Sequence, residues 1–224
     1  IRLVKTAPEL AVLRRAASIN ERALVAAAGA VAPGKPWSGM SEAYRAVLLA
    51  NESRPAGERG MLFAAGPDGG FVLDHDYVAR KTFAPGDAVV LDAISRHRLY
   101  HADIARTAIV GTPTARQRDI FAAVRDVQQE CEAKIRPGAH TKAIEEHATN
   151  NRMGVVRAFI GHGIGEQFHT DVQVLHYYDP RNNTIMKPGM VFTIEPMITL
   201  GTWQFQDRKS TRLNSSHLGI SYAV

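Results

Sequence analysis

Cysteine is almost absent from this chain, with one thiol, Cys131, in 224 residues. A lone thiol excludes an intramolecular disulfide framework and suits a reducing compartment. Cys131 falls on the apolar stripe Ile120, Val124, Val127, Cys131 and Ile135, so it reads as a small core residue and not as a nucleophile. Long apolar runs are missing too. None approaches the ~20 residues of a membrane span, and no signal peptide opens the chain, which begins at Ile1. The expectation is a cytoplasmic protein away from the membrane. Charge of one sign is scarce: the net charge is +5, and because residues 207–224 hold three bases against one acid, residues 1–206 carry only +3. That excess makes no case for a nucleic-acid partner. No solenoid period or low-complexity segment appears. What is present, 45% hydrophobic residues, suits one domain with a sizeable core.

Helix signals alternate with strand signals. Thr6-Ala-Pro-Glu9 is a capping box that opens a helix running to about Val31, where Ala32-Pro33-Gly34 stops it. A second helix is expected from Ser41 to near Asn51, then a polar loop over 52–60 and strands near 61–65 and 71–74. After a hairpin, another helix runs from Ala115 to about Ile135, and Thr141 caps a further one. Helix pairs followed by strands, twice over, predict an α+β domain of two similar halves.

Two aspartates carry the first chemical signal. Asp92 ends the apolar run Ala88-Val-Val-Leu91, and Asp103 precedes Ile104-Ala105 and the run Ala108-Ile-Val110. Both runs read as buried strands. A hairpin turning between His97 and Arg98 would pair positions 92 and 103, with Cβ atoms only about 4.5–5.5 Å apart. Like charges at that range need a cation between them, and a divalent metal pair answers the need. A half-exposed hairpin with two polar residues on its wet face is the alternative. In the second half, Gly161-His162-Gly163-Ile164-Gly165 follows the strand-like run Val155 to Ile160, and His169 comes seven residues after His162. The glycines would let backbone approach an ion closely. After Lys187-Pro-Gly189, the strand Met190 to Ile194 ends in Glu195-Pro196, and a carboxylate there needs a partner. Singly, His162 could be a loop residue and Glu195 a turn cap.

The ordered set of segments 86–92 (GDAVVLD), 103–107 (DIART), 161–169 (GHGIGEQFH) and 188–196 (PGMVFTIEP) resembles the pita-bread metallopeptidases, the family of methionine aminopeptidases, Xaa-Pro aminopeptidases, prolidases and creatinase. The resemblance spans residues 1 to 206. It implies a pita-bread fold with a curved antiparallel sheet and the metals between its halves. It implies that Asp92, Asp103, His162 and Glu195 are metal ligands, that His169 steadies the substrate carbonyl or tetrahedral intermediate, and that His75 occupies the place of another active-site histidine. The departures are Ile94 and Leu99, which stand where the family usually keeps glycines and put bulk into the hairpin.

Up to about Gly111 the chain is closer to the Xaa-Pro and creatinase branch. From about Gly154, through His169-Thr-Asp171, Val174-Leu-His-Tyr177 and Glu195-Pro-Met-Ile198, it is similar to bacterial methionine aminopeptidases. A true intermediate and a chimera of two related genes both account for the blend. Residues 207–224 have no apolar periodicity and resemble a translated short-read sequencing adapter, so a catalytic domain over 1–206 and a non-native tail are expected. The family's last ligand, a glutamate, would fall beyond Val224, which leaves the final strands missing and the chain's own activity doubtful.

The resemblance implies two divalent ions that bring a bridging water toward neutral pKa. Glu195 would carry the proton from water to the leaving amine, His169 would donate to the developing oxyanion, and His75 would orient the scissile amide. Oxygen-rich ligation with one imidazole suits Mn, Fe, Co or Zn alike. The substrate expected is the N-terminus of a peptide or nascent protein, with removal of methionine favoured over cleavage before proline. A non-catalytic binding protein on the same fold and a metal-free amidinohydrolase related to creatinase are the alternatives.

Overall fold

The computed structural model describes residues 3–56, 61–66, 81–134, 150, 153–182, 184–200, 218–219 and 222–223. Helix α1 (Ala7–Gly29) begins where the capping box places it. The Glu9 carboxylate accepts the Thr6 backbone N–H at 2.7 Å and its hydroxyl at 2.6 Å, and Pro8 in the first turn forfeits only an N–H that had no helical partner. Leu13, Ala16, Ile19, Ala23, Leu24 and Ala27 recur every three or four residues and are buried along one face. Helix α2 (Ser38–Leu49) starts three residues before the expected Ser41, with Met40, Tyr44 and Leu48 buried. Trp37, buried just ahead of it, stacks on Phe83 with ring centroids 5.6 Å apart.

These helices pack on one face of an antiparallel sheet made of β1 (Ser53–Pro55), β2 (Met61–Gly66), β3 (Ala88–His97) and β4 (Tyr100–Ile109). Strand β3 is the centre. β4 runs along one edge, while β2 and β1 follow one another along the other. Val89, Leu91, Ala93 and Ile104 face the helices and share a core with Ile19, Trp37, Tyr44 and Phe83. Since side chains alternate across a strand, Asp92 and Asp103 point the opposite way.

The hairpin register differs from expectation. Asp92 lies opposite Ala105, and Asp103 lies opposite Ile94, so the two aspartates are diagonal neighbours on one face and not a facing pair. The turn residues are Arg98 and Leu99, both at positive φ (46° and 76°), which is the geometry of a type I′ hairpin turn. Neither is the asparagine or glycine that normally announces such a turn, and the expected centre was therefore one residue early.

In the second half, helix α3 (Ala115–Lys134) matches expectation. It is followed by β5 (Met153–Val155), β6 (Gly161–Gly163), β7 (Thr170–Val174), β8 (Thr193–Ile194) and β9 (Met197–Leu200). β5 pairs with β9 and β6 with β7, and an isolated bridge joins Gly163 to Phe192. The strand expected over 155–160 ends at Val155: Val156 still donates its N–H to the Met197 carbonyl at 2.9 Å, and then Arg157 and Phe159 turn outward to exposed positions. Val124 of α3 packs with Val155, Val172, Val174, Phe192 and Ile194. Leu13, Ile164 and Val191 form a third cluster that ties α1 to this half. Short strands β10 (Leu218–Gly219) and β11 (Tyr222–Ala223) pair with β9 and β8. The strand expected at 71–74, the helix capped by Thr141, His75 and the Cys131 side chain lie outside the described residues. Among the described residues no helix is long and apolar enough to cross a membrane.

Candidate metal centre

Asp103 reaches the site from β4, His162 from the middle of β6, and Glu195 from the residue after β8. One ligating atom from each falls within 4.8 Å of the others. The His162 Nε2 is 3.4 Å from Asp103 Oδ2 and 3.5 Å from Glu195 Oε1. Its other ring nitrogen, Nδ1, lies 3.2 Å from the Gly163 carbonyl oxygen. A carbonyl can only accept, so that contact places a proton on Nδ1 and leaves the Nε2 lone pair facing two carboxylates. Lone pair against anion is repulsive unless a proton or a metal cation stands between.

The charges tell the same story. Asp92, half-buried, has its carboxyl held well above the ordinary range, first by burial and then by the charges of Asp103 and Glu195. Glu195 is pushed up to about 7 by burial and by Asp103, against the opposing pull of the Thr193 hydroxyl and His162. Burial works against a charged His162, but Asp103 and Glu195 prevail and raise it. Asp103 is 4% exposed, and its Oδ1 is buried without a hydrogen-bond partner among the described residues. Three carboxylates, one orphaned oxygen and one inward lone pair suit divalent cations, which would neutralise the cluster and satisfy those atoms. The donor set of oxygens with one imidazole fits Mn, Fe, Co or Zn.

The glycines flanking His162 make room for the strands on either side. A Cβ at Gly161 would be driven into the Thr193 carbonyl oxygen, and one at Gly163 into the Thr170 Oγ1. Their bareness lets β6 sit tightly between β7 and β8, and it is that packing which delivers His162 to the carboxylates. His169, exposed at the rim, has its ring 4.2 Å from that of His162 in an edge contact. Partial burial and the neighbouring His162 lower its pKa, so at neutral pH it is an uncharged N–H donor.

Four contributors had no assigned role in the sequence. Thr193 bonds both His162 and Glu195, and His176 accepts the Glu195 backbone N–H on Nε2 at 3.1 Å. Complete burial holds His176 neutral, with its pKa lowered to about 3. Phe168 packs against both His162 and His169, with ring centroids 5.0 and 4.1 Å away, and His101 ties the 161–169 segment to β4 through the Gly165 carbonyl. The alternation Thr193, Glu195 along a strand was a legible signal; the partners of His176, Phe168 and His101 were not.

Residues 11–219 match the pattern of metallopeptidase family M24. The chain belongs to that family. Among M24 relatives, methionine aminopeptidase 2 of Mycobacterium tuberculosis is 32% identical over 209 residues, covering 91% of this chain and 73% of the relative. Xaa-Pro dipeptidase of Pyrococcus furiosus is 29% identical over 204 residues, covering 88% and 56%. The solved methionine aminopeptidase of Thermotoga maritima superposes with a TM-score of 0.83 at 23% identity, covering 100% of this chain and 93% of that one. The fold is thus the pita-bread fold, and M24 metallopeptidases use divalent metal ions, which the cluster above suits. The chain spans about half the length of several other curated relatives it matches.

Proposed function

We propose that the protein is a metal-dependent aminopeptidase that hydrolyses the first peptide bond of cytoplasmic peptides or nascent proteins, with methionine as the favoured N-terminal residue. Asp92, Asp103, His162 and Glu195 are the metal ligands in this reading. The observation that carries it is the convergence of Asp103, His162 and Glu195 with the His162 lone pair aimed at two carboxylates. Divalent metal supplies a water of lowered pKa and polarises the scissile carbonyl. Glu195, titrating at about 7, is matched to take a proton from water and return it to the leaving amine. His169, neutral and at the rim, donates a hydrogen bond to the oxygen on which charge develops. His75 is assigned to orienting the amide on the family resemblance.

Cleavage before proline is the second reading, favoured by the similarity to the Pyrococcus furiosus dipeptidase over 88% of the chain. The test is metal analysis after loading with Mn(II) or Co(II), followed by hydrolysis of a Met-Ala-Ser and an Ala-Pro-Ala peptide. About two equivalents of metal and cleavage of the methionyl peptide are expected. Cleavage of the prolyl peptide alone would transfer the assignment to the Xaa-Pro branch. Absence of bound metal would remove the metallopeptidase reading and leave the binding protein and the metal-free amidinohydrolase.

A further inference from the structure

Thr193 is fully buried, and its hydroxyl stands between the His162 backbone and the Glu195 carboxylate. Oγ1 accepts the backbone N–H of His162 at 3.0 Å and lies 2.6 Å from Glu195 Oε1. A hydroxyl has one proton to give. The carboxylate can only accept once ionised, and the 3.5 Å approach of Oγ1 to the His162 carbonyl is too long to compete. The direction of the chain is therefore set: the His162 N–H donates to the Thr193 hydroxyl, which donates to Glu195. The opposite end of Glu195 is anchored as well, since its backbone N–H is held by the buried His176 ring.

Resting on the metal-site reading above, we infer that Thr193 is a positioning residue whose hydroxyl registers the His162 strand against the Glu195 carboxylate and thereby sets metal affinity. Rotation of the Glu195 carboxylate would move Oε1 from its place 3.5 Å from His162 Nε2, and the Thr193 hydrogen bond opposes that rotation at the ligating oxygen itself. The residue acts through the ligands and does not touch substrate.

Four proteins decide the point: the wild type, T193V, T193S and T193A, each titrated with Mn(II) by calorimetry and melted in excess chelator. Valine keeps the shape of threonine and loses the hydroxyl. Serine and alanine both lose the methyl and differ from each other only in the hydroxyl. T193V and T193A are expected to bind Mn(II) about 10- to 100-fold more weakly, with T193S close to the wild type. A purely structural role would instead order the variants by melting temperature in chelator, serine falling with alanine. Wild-type affinity in T193V, or equal affinity in T193S and T193A, would overturn the inference while leaving the metal site intact. Should T193V fail to fold, the serine and alanine pair carries the comparison alone. If the wild type binds no Mn(II), the inference falls together with the metal-site reading, and that result is distinct from the others.

Discussion

Substituting alanine for Gly161 tests whether the site is built by strand packing. The added Cβ would run into the Thr193 carbonyl oxygen and would stand 3.1 Å from the Thr193 carbonyl carbon and 3.0 Å from the Val174 Cβ. Two of the three obstacles are backbone, so no change of rotamer relieves the clash, and β8 must withdraw. Overpacking a fixed site typically costs about 1–3 kcal/mol, and with backbone as the obstacle G161A belongs at or above the upper end. Because Thr193 and Glu195 ride on the strand that must move, metal affinity is expected to fall with stability. Two other glycines supply the controls. Gly29 ends α1 outside the left-handed region, and a Cβ there would meet nothing within 4 Å, so G29A is expected to gain about 0.5–1 kcal/mol from helix propensity and a less flexible unfolded chain. At Gly165 the neighbours are only the Cε and Nζ of Lys5, at 3.0 and 3.2 Å; the end of a lysine can shift, so G165A is expected to cost less than about 1 kcal/mol. Urea unfolding in chelator and Mn(II) titration of the three variants give the two readouts. A G161A protein within about 0.5 kcal/mol of the wild type, with unchanged metal affinity, would refute the close seating of β6 against β8.

Metal affinity is expected to rise between pH 6 and pH 8 and then level off. Below about 7 Glu195 holds a proton that metal must displace; calorimetry in two buffers of different ionisation enthalpy should show more protons released per metal at pH 6 than at pH 8, and equal release at both would refute the assignment. Leu99, 63% exposed at φ 76°, carries a left-handed backbone that costs a non-glycine residue about 1–2 kcal/mol. L99G should recover up to about 1 kcal/mol after glycine's entropic cost, read by urea unfolding, and a loss of stability would contradict the turn geometry.

That same turn explains where the sequence misled. The strands β3 and β4 were legible as apolar runs, and the shared face of Asp92 and Asp103 was inferred correctly. The register was not, because a type I′ turn normally declares itself through asparagine and glycine, and here Arg98 and Leu99 hold the positive φ values. Strand β1 was hidden for another reason. Ser53-Arg-Pro55 has no apolar alternation, and its pairing to Ser95, Arg96 and His97 exists because β3 extends beyond β2 and offers it a partner. Helices α1 and α3 were readable because capping and periodicity are local. The bond of Thr193 to His162 and that of His176 to Glu195 were not, since they join residues 31 and 19 positions apart.

The corrected register also changes how the charge problem is solved. A directly opposed pair of aspartates would bring Cβ atoms to about 4.5–5.5 Å, whereas diagonal neighbours stand about 7–8 Å apart. The diagonal placement lets Asp103 face His162 and Glu195 while Asp92 remains beside it. The other face of β3 stays wholly available to the core, where Ala93 accepts a hydrogen bond from Asn20, and Tyr44 donates to Asn20 in turn. One strand thus serves two chemistries through its pleat alone: a buried polar brace to the helices on one side and a cation-demanding carboxylate pair on the other. The centre is assembled where the two halves of the domain meet, with the close seating of Gly161 against the Thr193 backbone holding His162 and Glu195 in register.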